Sequence, residues 1–431
     1  MSGPRCRRRT DCRLCGSRRV EPVLSLAATP PANAFVDASA RGREQERFPL
    51  DVRLCRECSH AQLLDVVDPE LLFRNYVYVS GTSPVFVEHF RRYAAACIRD
   101  LGLAPGDEVL EIGSNDGTFL GFFKEAGLKV LGVDPARAIA EQAAARGIET
   151  RPEFFDQALA SRLAAEGRRP KLIAANNVFA HADDLHGIAE GVADLLAPDG
   201  AFVFEVSYLV DVYEKTLFDT IYHEHLSYHS VKPLIGFFAR HGLCLTDALR
   251  VDPHGGSLRG VARPAAAHPA ASPRVEELVA LERRMGLHGS EAFVELMSRI
   301  ERRGAELTAL LSELKASGAR FAGFGAPAKA TTLMYQFGLG AETLEYIVDE
   351  SPLKQGLFSP GLHIPVVPAS VLQDPARRPD VLVILAWNFA EPIMKQHRGF
   401  LEAGGKMIVP LPEVRLWGAA GDLTPARERT R

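Results

Sequence analysis

The chain has 431 residues, 47% of them hydrophobic and 24% charged, with a formal net charge of −4. This is the composition of an ordinary soluble globular protein with material for two to three domains. The slightly negative balance argues against nucleic acid as the main partner, and no apolar run approaches the roughly 20 residues needed to span a bilayer, so no membrane partner is expected.

The N-terminus carries Arg5, Arg7, Arg8 and Arg9 with no apolar signal region after them, which predicts a cytoplasmic protein. Two cysteine pairs come next, Cys12-x-x-Cys15 and Cys55-x-x-Cys58. Each pair can grip one metal ion, because two thiolates on such a knuckle reach adjacent corners of a tetrahedron. Disulfides are the alternative, disfavoured in a cytosolic chain. Four thiolates leave no open coordination position, so a structural Zn2+ that folds an N-terminal domain, residues 1–70, is expected. Cys6, Cys97 and Cys244 lie outside this spacing and are expected to be buried as small hydrophobes.

Ala61 to Asp65 reads as a strand. In Asn75 to Ser83, Tyr76, Tyr78 and Ser80 share a face if the segment is extended, and a half-buried edge strand is the plain reading. Pro84 to Leu101 has a helical apolar pattern.

The stretch from Glu108 to Leu120 organises the central part of the chain. Val109, Leu110 and Ile112 form a short apolar strand, and Gly113 and Gly117 turn the chain into an amphipathic helix. Such a turn leaves bare backbone where a ligand can approach. Asp134 ends the next apolar run, 21 residues after Gly113, a spacing that suits an acidic side chain on ribose hydroxyls. A plain structural turn and a dinucleotide site are competing readings. Against the latter, Asn115 stands where a second glycine is wanted and would crowd a pyrophosphate, whereas Glu111 can meet a cationic amino-acid ligand. The pattern resembles the first motif of class I S-adenosylmethionine methyltransferases.

Strands at Lys129 to Asp134, Lys171 to Ala175 and Ala201 to Val206 alternate with helices at Ala136 to Arg146 and Leu185 to Leu196. This α/β alternation predicts a parallel sheet covered on both faces, with ligands beyond the carboxyl ends of the strands. Asn177, His181, Glu205 and Ser207 fall at such ends, and each could equally be a satisfied structural polar residue.

Asp219 to His229 holds three histidines, two tyrosines and a glutamate. A zinc-protease helix is excluded, because His-Glu-x-x-His would need histidine at Ser227. His225 and His229 could share a helix face as metal ligands, but neighbouring carboxylates offer no convincing third ligand; a solvated polar loop is the other plain reading. Acid–base chemistry fits better, since imidazole titrates near neutrality.

Leu243 to Val251 and Ser257 to Arg263 read as a hairpin, Pro264 to Pro273 as a linker, and Val275 to Leu314 as one long helical pattern. A second glycine-rich strand-to-helix turn stands at Arg320 to Thr332, with Gly323 and Gly325 freeing the backbone and Lys329 and Thr331 in the first helical turn. Amides, helix dipole and lysine make a phosphate cradle, though not a Walker motif. Leu344 to Asp349 repeats the strand ending in an acid, and Val381 to Leu385 is a strand before Trp387 and Asn388, so this half reads as a second Rossmann-like unit. The residues from Gly418 onward are expected to be a loose tail.

Cys-x-x-Cys twice, Tyr-x-Tyr-x-Ser, Glu-Ile-Gly-Ser-Asn-Asp-Gly, Tyr-His-Glu-His, His-Gly-Gly-Ser-Leu-Arg and Gly-Phe-Gly-Ala-Pro-Ala-Lys stand in this order between about Cys12 and Val414. Together they resemble the sugar C-methyltransferases of deoxysugar biosynthesis, of the tetronitrose and kijanose dTDP-sugar 3-C-methyltransferase type. The resemblance implies a zinc-binding domain over 1–70, an S-adenosylmethionine-dependent methyltransferase domain over 71–265 and a Rossmann-like nucleotide-sugar domain over 266–417. It implies methylation of a dTDP-linked 4-keto-deoxysugar, commonly at C3, by a monomer or weak dimer. His225 is the implied general base, with Tyr222, Glu224, His181 and Tyr76 around it. Glu111, Gly113, Asn115, Asp116, Gly117, Asp134 and Asn177 are the candidates for the donor, and Gly325, Ala326, Lys329, Thr331, Asp349 and Asn388 for the acceptor. Ala330 stands where relatives often have glycine, which weakens the phosphate assignment. Two rival classes remain: a zinc-containing nucleic-acid methyltransferase, suggested by the knuckles and the arginines, and a non-catalytic nucleotide-binding scaffold.

Overall fold

The structure is a computed structural model and describes residues 5–73 and 84–424. Tyr76, Tyr78 and Ser80 lie outside the described residues. The chain forms two compact units: Met1–Val23, Val52–Asp211 and His225–Ala292 make one, and Leu24–Asp51, Val212–Glu224 and Phe293–Arg431 the other.

In the first unit, strands run in the order Leu243–Val251, Ser257–Pro264, Ala201–Ser207, Leu172–Asn176, Glu108–Ile112, Lys129–Val133, Thr150–Arg151. The five strands between Glu108 and Ser207 are parallel, and the hairpin joins antiparallel to Ala201–Ser207. The apolar runs are buried, as strands covered on both faces must be. Helix Pro84–Leu101 lays Phe86, Phe90, Tyr93 and Cys97 against Phe119 and Phe123 of helix Thr118–Glu125. The strand Ala61–Leu63 pairs on one side with Val52 to Leu54 and on the other with Ser227–Tyr228.

In the second unit, the order is Val366–Val367, Ile347–Val348, Phe321–Phe324, Val381–Ile384, Lys406–Val409, Arg415–Gly418, Gly421–Asp422, the first five parallel. The α/β class expected from the alternating pattern is observed, with a Rossmann-like sheet in each unit.

Three local expectations change. The long helical pattern is two helices, Pro273–Arg284 and Glu291–Ala316, parted where Gly286 adopts φ 69°. The first helix ends there because a left-handed residue stops the hydrogen-bond ladder. The alanine–proline stretch is not a free linker: the amides of Ala265 and Ser272 donate to the carbonyls of Gly242 and Thr246. From Gly418 to Thr424 the chain is a hairpin edge, with the Leu423 amide on the Leu416 carbonyl, rather than a loose tail.

Candidate functional site

The strand Glu108–Ile112 ends at Gly113, whose φ of 69° and close approach to Val178 explain the glycine: an added Cβ would stand 2.2 Å from Val178 Cγ2. The turn continues through Asn115 at φ 50°, a left-handed position that asparagine tolerates better than most residues. Asn177, after the neighbouring strand, takes φ 55° for the same reason. These two turns open one wall of a cavity of about 460 Å³. Glu111, Gly113, Asn115, Asp134, Asn177 and His181 all line it.

Asp134 is held by two backbone amides. Asn115 N–H donates to Oδ2 and Ala136 N–H to Oδ1, each at 2.9 Å. Burial raises its pKa, and the two amides oppose that shift. Glu111 is fully buried, and burial holds its pKa well above the ordinary value. Asn176 donates to Glu111 Oε1 at 3.0 Å, while Glu111 Oε2 and Asn176 Oδ1 have no partner among the described residues. Two orphaned acceptors in a cavity wall are suited to an ammonium-bearing ligand. The residues therefore fit S-adenosylmethionine.

Asp116 and Gly117 are not in the cavity wall. The Asp116 carboxylate accepts from Thr118 Oγ1 at 2.7 Å and pairs with Arg146 at 2.8 Å, so it fastens the start of the helix rather than touching a ligand. Gly117 is the left-handed N-cap. Conversely, Phe154, Phe155, Asp156 and Arg7 line the cavity although no binding motif marks them in the sequence. The only sequence signal was Asp156, an N-cap whose carboxylate accepts from Leu159 N–H.

His181 comes after the Asn177 turn, and its ring centroid lies 4.9 Å from that of His225. The loops carrying them are zipped together, since the amides of Leu226 and Ser227 both donate to the Ala180 carbonyl, at 2.9 and 3.1 Å. His225 and His229 do not share a helix face. Residues 221–226 form a turn and loop and Ser227–Tyr228 is a strand, so the segment contains no helix whose face the two could share. His229 is buried against Phe179, with centroids 5.4 Å apart, and burial lowers its pKa to about 4. His223 is also buried and donates through Nε2 to the Phe48 carbonyl. Both are core histidines; His225 and Tyr222 are half-buried. Burial raises the Glu224 carboxyl to about 7, opposed by the Asn33 amide that donates to it at 2.8 Å.

In the second unit, Phe321–Phe324 ends at Gly325, φ 84°, where a Cβ would meet Ala386 Cβ at 2.5 Å. The turn repeats the first one: Ala326 N–H donates to Asp349 Oδ2 at 2.6 Å, as Asn115 does to Asp134. Lys329, in the first turn of helix Ala328–Phe337, is 3.8 Å from the buried Asp219 carboxylate and lies over the Trp387 ring at 4.3 Å. The Thr331 hydroxyl donates to the Ala32 carbonyl and is buried, so it serves packing rather than a phosphate cradle. Asp349 spends both oxygens on amides, of Ala326 and Ser351, and holds the turn. Asn388 comes directly after Trp387 and keeps its Oδ1 buried without a partner among the described residues.

The sulfurs of Cys12, Cys15, Cys55 and Cys58 lie within 4.8 Å of one another, with Cys12–Cys58 at 3.6 Å and Cys15–Cys55 at 3.4 Å. A zinc tetrahedron with Zn–S bonds near 2.3 Å has edges of about 3.8 Å, so the four thiolates fit the ion. Both knuckles have the same backbone: Gly16 N–H donates to Cys12 O and Ser59 N–H to Cys55 O, with φ 70° and 68° at the two donors. Of the other cysteines, Cys97 is buried and Cys6 and Cys244 are half-exposed.

Three family models match the chain in succession: one described as "Putative zinc binding domain" over residues 12–73, "Methyltransferase domain" over 86–248 and "C-methyltransferase C-terminal domain" over 252–412. The chain is 39% identical over 413 residues to C-methyltransferase NovU of Streptomyces niveus, covering 96% of this chain and 98% of that protein. Among solved structures, PH0226 protein from Pyrococcus horikoshii OT3 is 14% identical over 44% of this chain and 97% of its own, with a TM-score of 0.35. Magnesium protoporphyrin IX methyltransferase from Synechocystis PCC 6803 with bound SAM is 13% identical over 42% of this chain and 81% of its own, with a TM-score of 0.31.

Proposed function

We propose, since this chain belongs to the C-methyltransferase family and is an S-adenosylmethionine-dependent, zinc-binding enzyme, that its acceptor is a dTDP-linked 4-keto-deoxysugar methylated at C3. The observation that carries the chemistry is the His181–His225 pair: His181 lines the donor cavity and its ring packs on that of His225. A proton beside a ketone is acidic because its loss gives an enolate, and a positioned imidazole is suited to take it near neutral pH. His225 removes this proton and His181 stands beside it. Tyr222 and Glu224 precede His225 in the chain and supply a phenol and a carboxyl that stays largely protonated up to about neutrality. Hydrogen-bond donors of this kind stabilise an enolate oxygen. Tyr76 is assigned to the same pocket by its motif alone.

S-adenosylmethionine supplies an electrophilic methyl group on its sulfonium. Asp134 and Asn115 hold its ribose end and Glu111 its amino-acid end, with Gly113 and Asn177 giving backbone approach. In the acceptor region, Gly325, Ala326, Lys329 and Asn388 bind the pyrophosphate and nucleotide. A division of labour among residues 1–70, 71–265 and 266–417 is part of this reading, although residues 24–51 and 212–224 belong to the second compact unit.

The test is to incubate the protein with methyl-labelled S-adenosylmethionine and a panel of dTDP-4-ketosugars, with NMR of the product. The expected product carries a new C–CH3 group at C3. A methyl ether, or transfer only to sugars lacking the ketone, contradicts the proposal.

A further inference from the structure

Arg13 sits between the zinc ligands Cys12 and Cys15, yet its side chain is fully buried away from solvent. Its guanidinium reaches three separate segments. Nε donates to Asp183 Oδ1 at 3.0 Å. Nη1 shares its two N–H groups among Gln62 Oε1 at 3.2 Å, the Leu63 carbonyl and, at 3.4 Å, the Leu226 carbonyl. The Arg13 amide donates to the same Gln62 oxygen at 3.0 Å. Asp183 is two residues after His181, and Leu226 is the residue after His225. Asp183 also collects Arg7 and Arg9, so three arginines of the N-terminal segment converge on one carboxylate.

We propose that Arg13 is a positioning residue: held in place by the zinc knuckle, it sets the His181 loop against the His225 loop. This rests on the proposed role of the two histidines. The place uses two separate nitrogens of the guanidinium fork, Nε and Nη1, while Nη2 is buried without a partner among the described residues. A lysine carries its three donors on one terminal atom, so it cannot place one donor at the Nε position on Asp183 and others at the Nη1 position on the Leu63 and Leu226 carbonyls. The knuckle fixes where the fork starts. Gln62 is gripped through both the Arg13 backbone and its side chain, and the Leu63 amide donates to the Leu226 carbonyl at 3.0 Å. The zinc site thereby sets the spacing of two imidazoles without contacting them.

The experiment compares full-length holoenzyme with Arg13→Lys. Zinc content of about one per chain and S-adenosylmethionine affinity within about twofold of wild type establish that the variant is folded. Amide exchange of Leu226 and Ser227 and the imidazole signals of His181 and His225 in 15N-histidine protein report the pair; methylation reports the chemistry. We expect faster exchange at those two amides, shifted imidazole signals, and kcat lower by roughly 10- to 100-fold, since small misplacements of reacting groups carry costs of that size. Unchanged exchange and unchanged imidazole signals overturn the proposal whatever the rate. A disturbed pair with a wild-type rate supports the clamp and removes the histidines from the chemistry. Should Arg13→Lys lose zinc, Asp183→Asn in intact knuckles gives the same readouts, with donor affinity measured separately because Asp183 lines the cavity; wild-type exchange in that variant overturns the proposal.

Discussion

The ammonium of Lys329 lies 3.8 Å from the carboxylate of Asp219, and both are withdrawn from solvent. Trp387 joins them, its indole N–H donating to the same carboxylate oxygen at 2.6 Å and its ring lying under the ammonium. Burial lowers the lysine's pKa and raises the aspartate's, while each charge favours the other's ionised form. The lysine expected to hold phosphate is therefore already paired, and an incoming anion has to share it.

Lys329→Ala should raise the acceptor KM at least 10-fold and leave S-adenosylmethionine binding within about twofold. Removing one member of a buried pair also strands the other, at a cost of about 3–5 kcal/mol, so the melting temperature should fall. Steady-state kinetics with calorimetry checks both; equal losses for donor and acceptor would reject separate sites.

Asp134→Ala removes the acceptor of two backbone amides and the proposed ribose contact. Donor affinity should weaken by about 1–3 kcal/mol. Titration calorimetry showing wild-type affinity would place the ribose elsewhere.

Purified protein should contain about one zinc per chain. Cys55→Ser should lower zinc content and open the N-terminal segment to protease. Metal-free protein that stays fully folded contradicts a structural zinc.

The Glu224 carboxyl provides a pH signature. Its folded pKa of about 7 lies above the ordinary value of 4.5, mainly through burial. The native state then binds the proton more tightly, so this group's stabilisation is complete below pH 4.5 and is lost as pH rises through 7. A change of that size corresponds to on the order of 3 kcal/mol. Glu224→Gln should flatten the fall in melting temperature between about pH 5 and 8; an unchanged slope would show that Glu224 is not responsible.

The periodic parts of the fold were legible. Apolar runs ending in glycine or an acid gave the parallel strands, and the cysteine spacing gave the zinc knuckles. What the sequence hid was mainly side-chain commitment over long separations. Asp116 looks like part of a binding turn until Arg146, thirty residues later, takes its carboxylate. Thr331 looks like a phosphate ligand until the Ala32 carbonyl occupies its hydroxyl. The N-terminal arginines resemble a basic patch, yet Arg7, Arg9 and Arg13 meet Asp183, and Arg8 meets Asp65. Phe154 and Phe155 carry no motif; only the fold brings them to the cavity. The break at Gly286 was visible as a glycine but was outweighed by the periodicity around it.

The proposed chemistry turns on His225 forming an enolate before the methyl group moves. Incubating wild-type protein with the ketosugar, S-adenosylhomocysteine and heavy water blocks transfer but leaves proton removal possible. Wild type should then place deuterium at the carbon beside the ketone. His225→Asn should lose that exchange, together with a fall in methylation of about 10²–10⁴-fold. Because sheltered return of the same proton can mask exchange, the methylation rate of His225→Asn decides: a large fall is expected, and a near-normal rate would contradict His225 as the base.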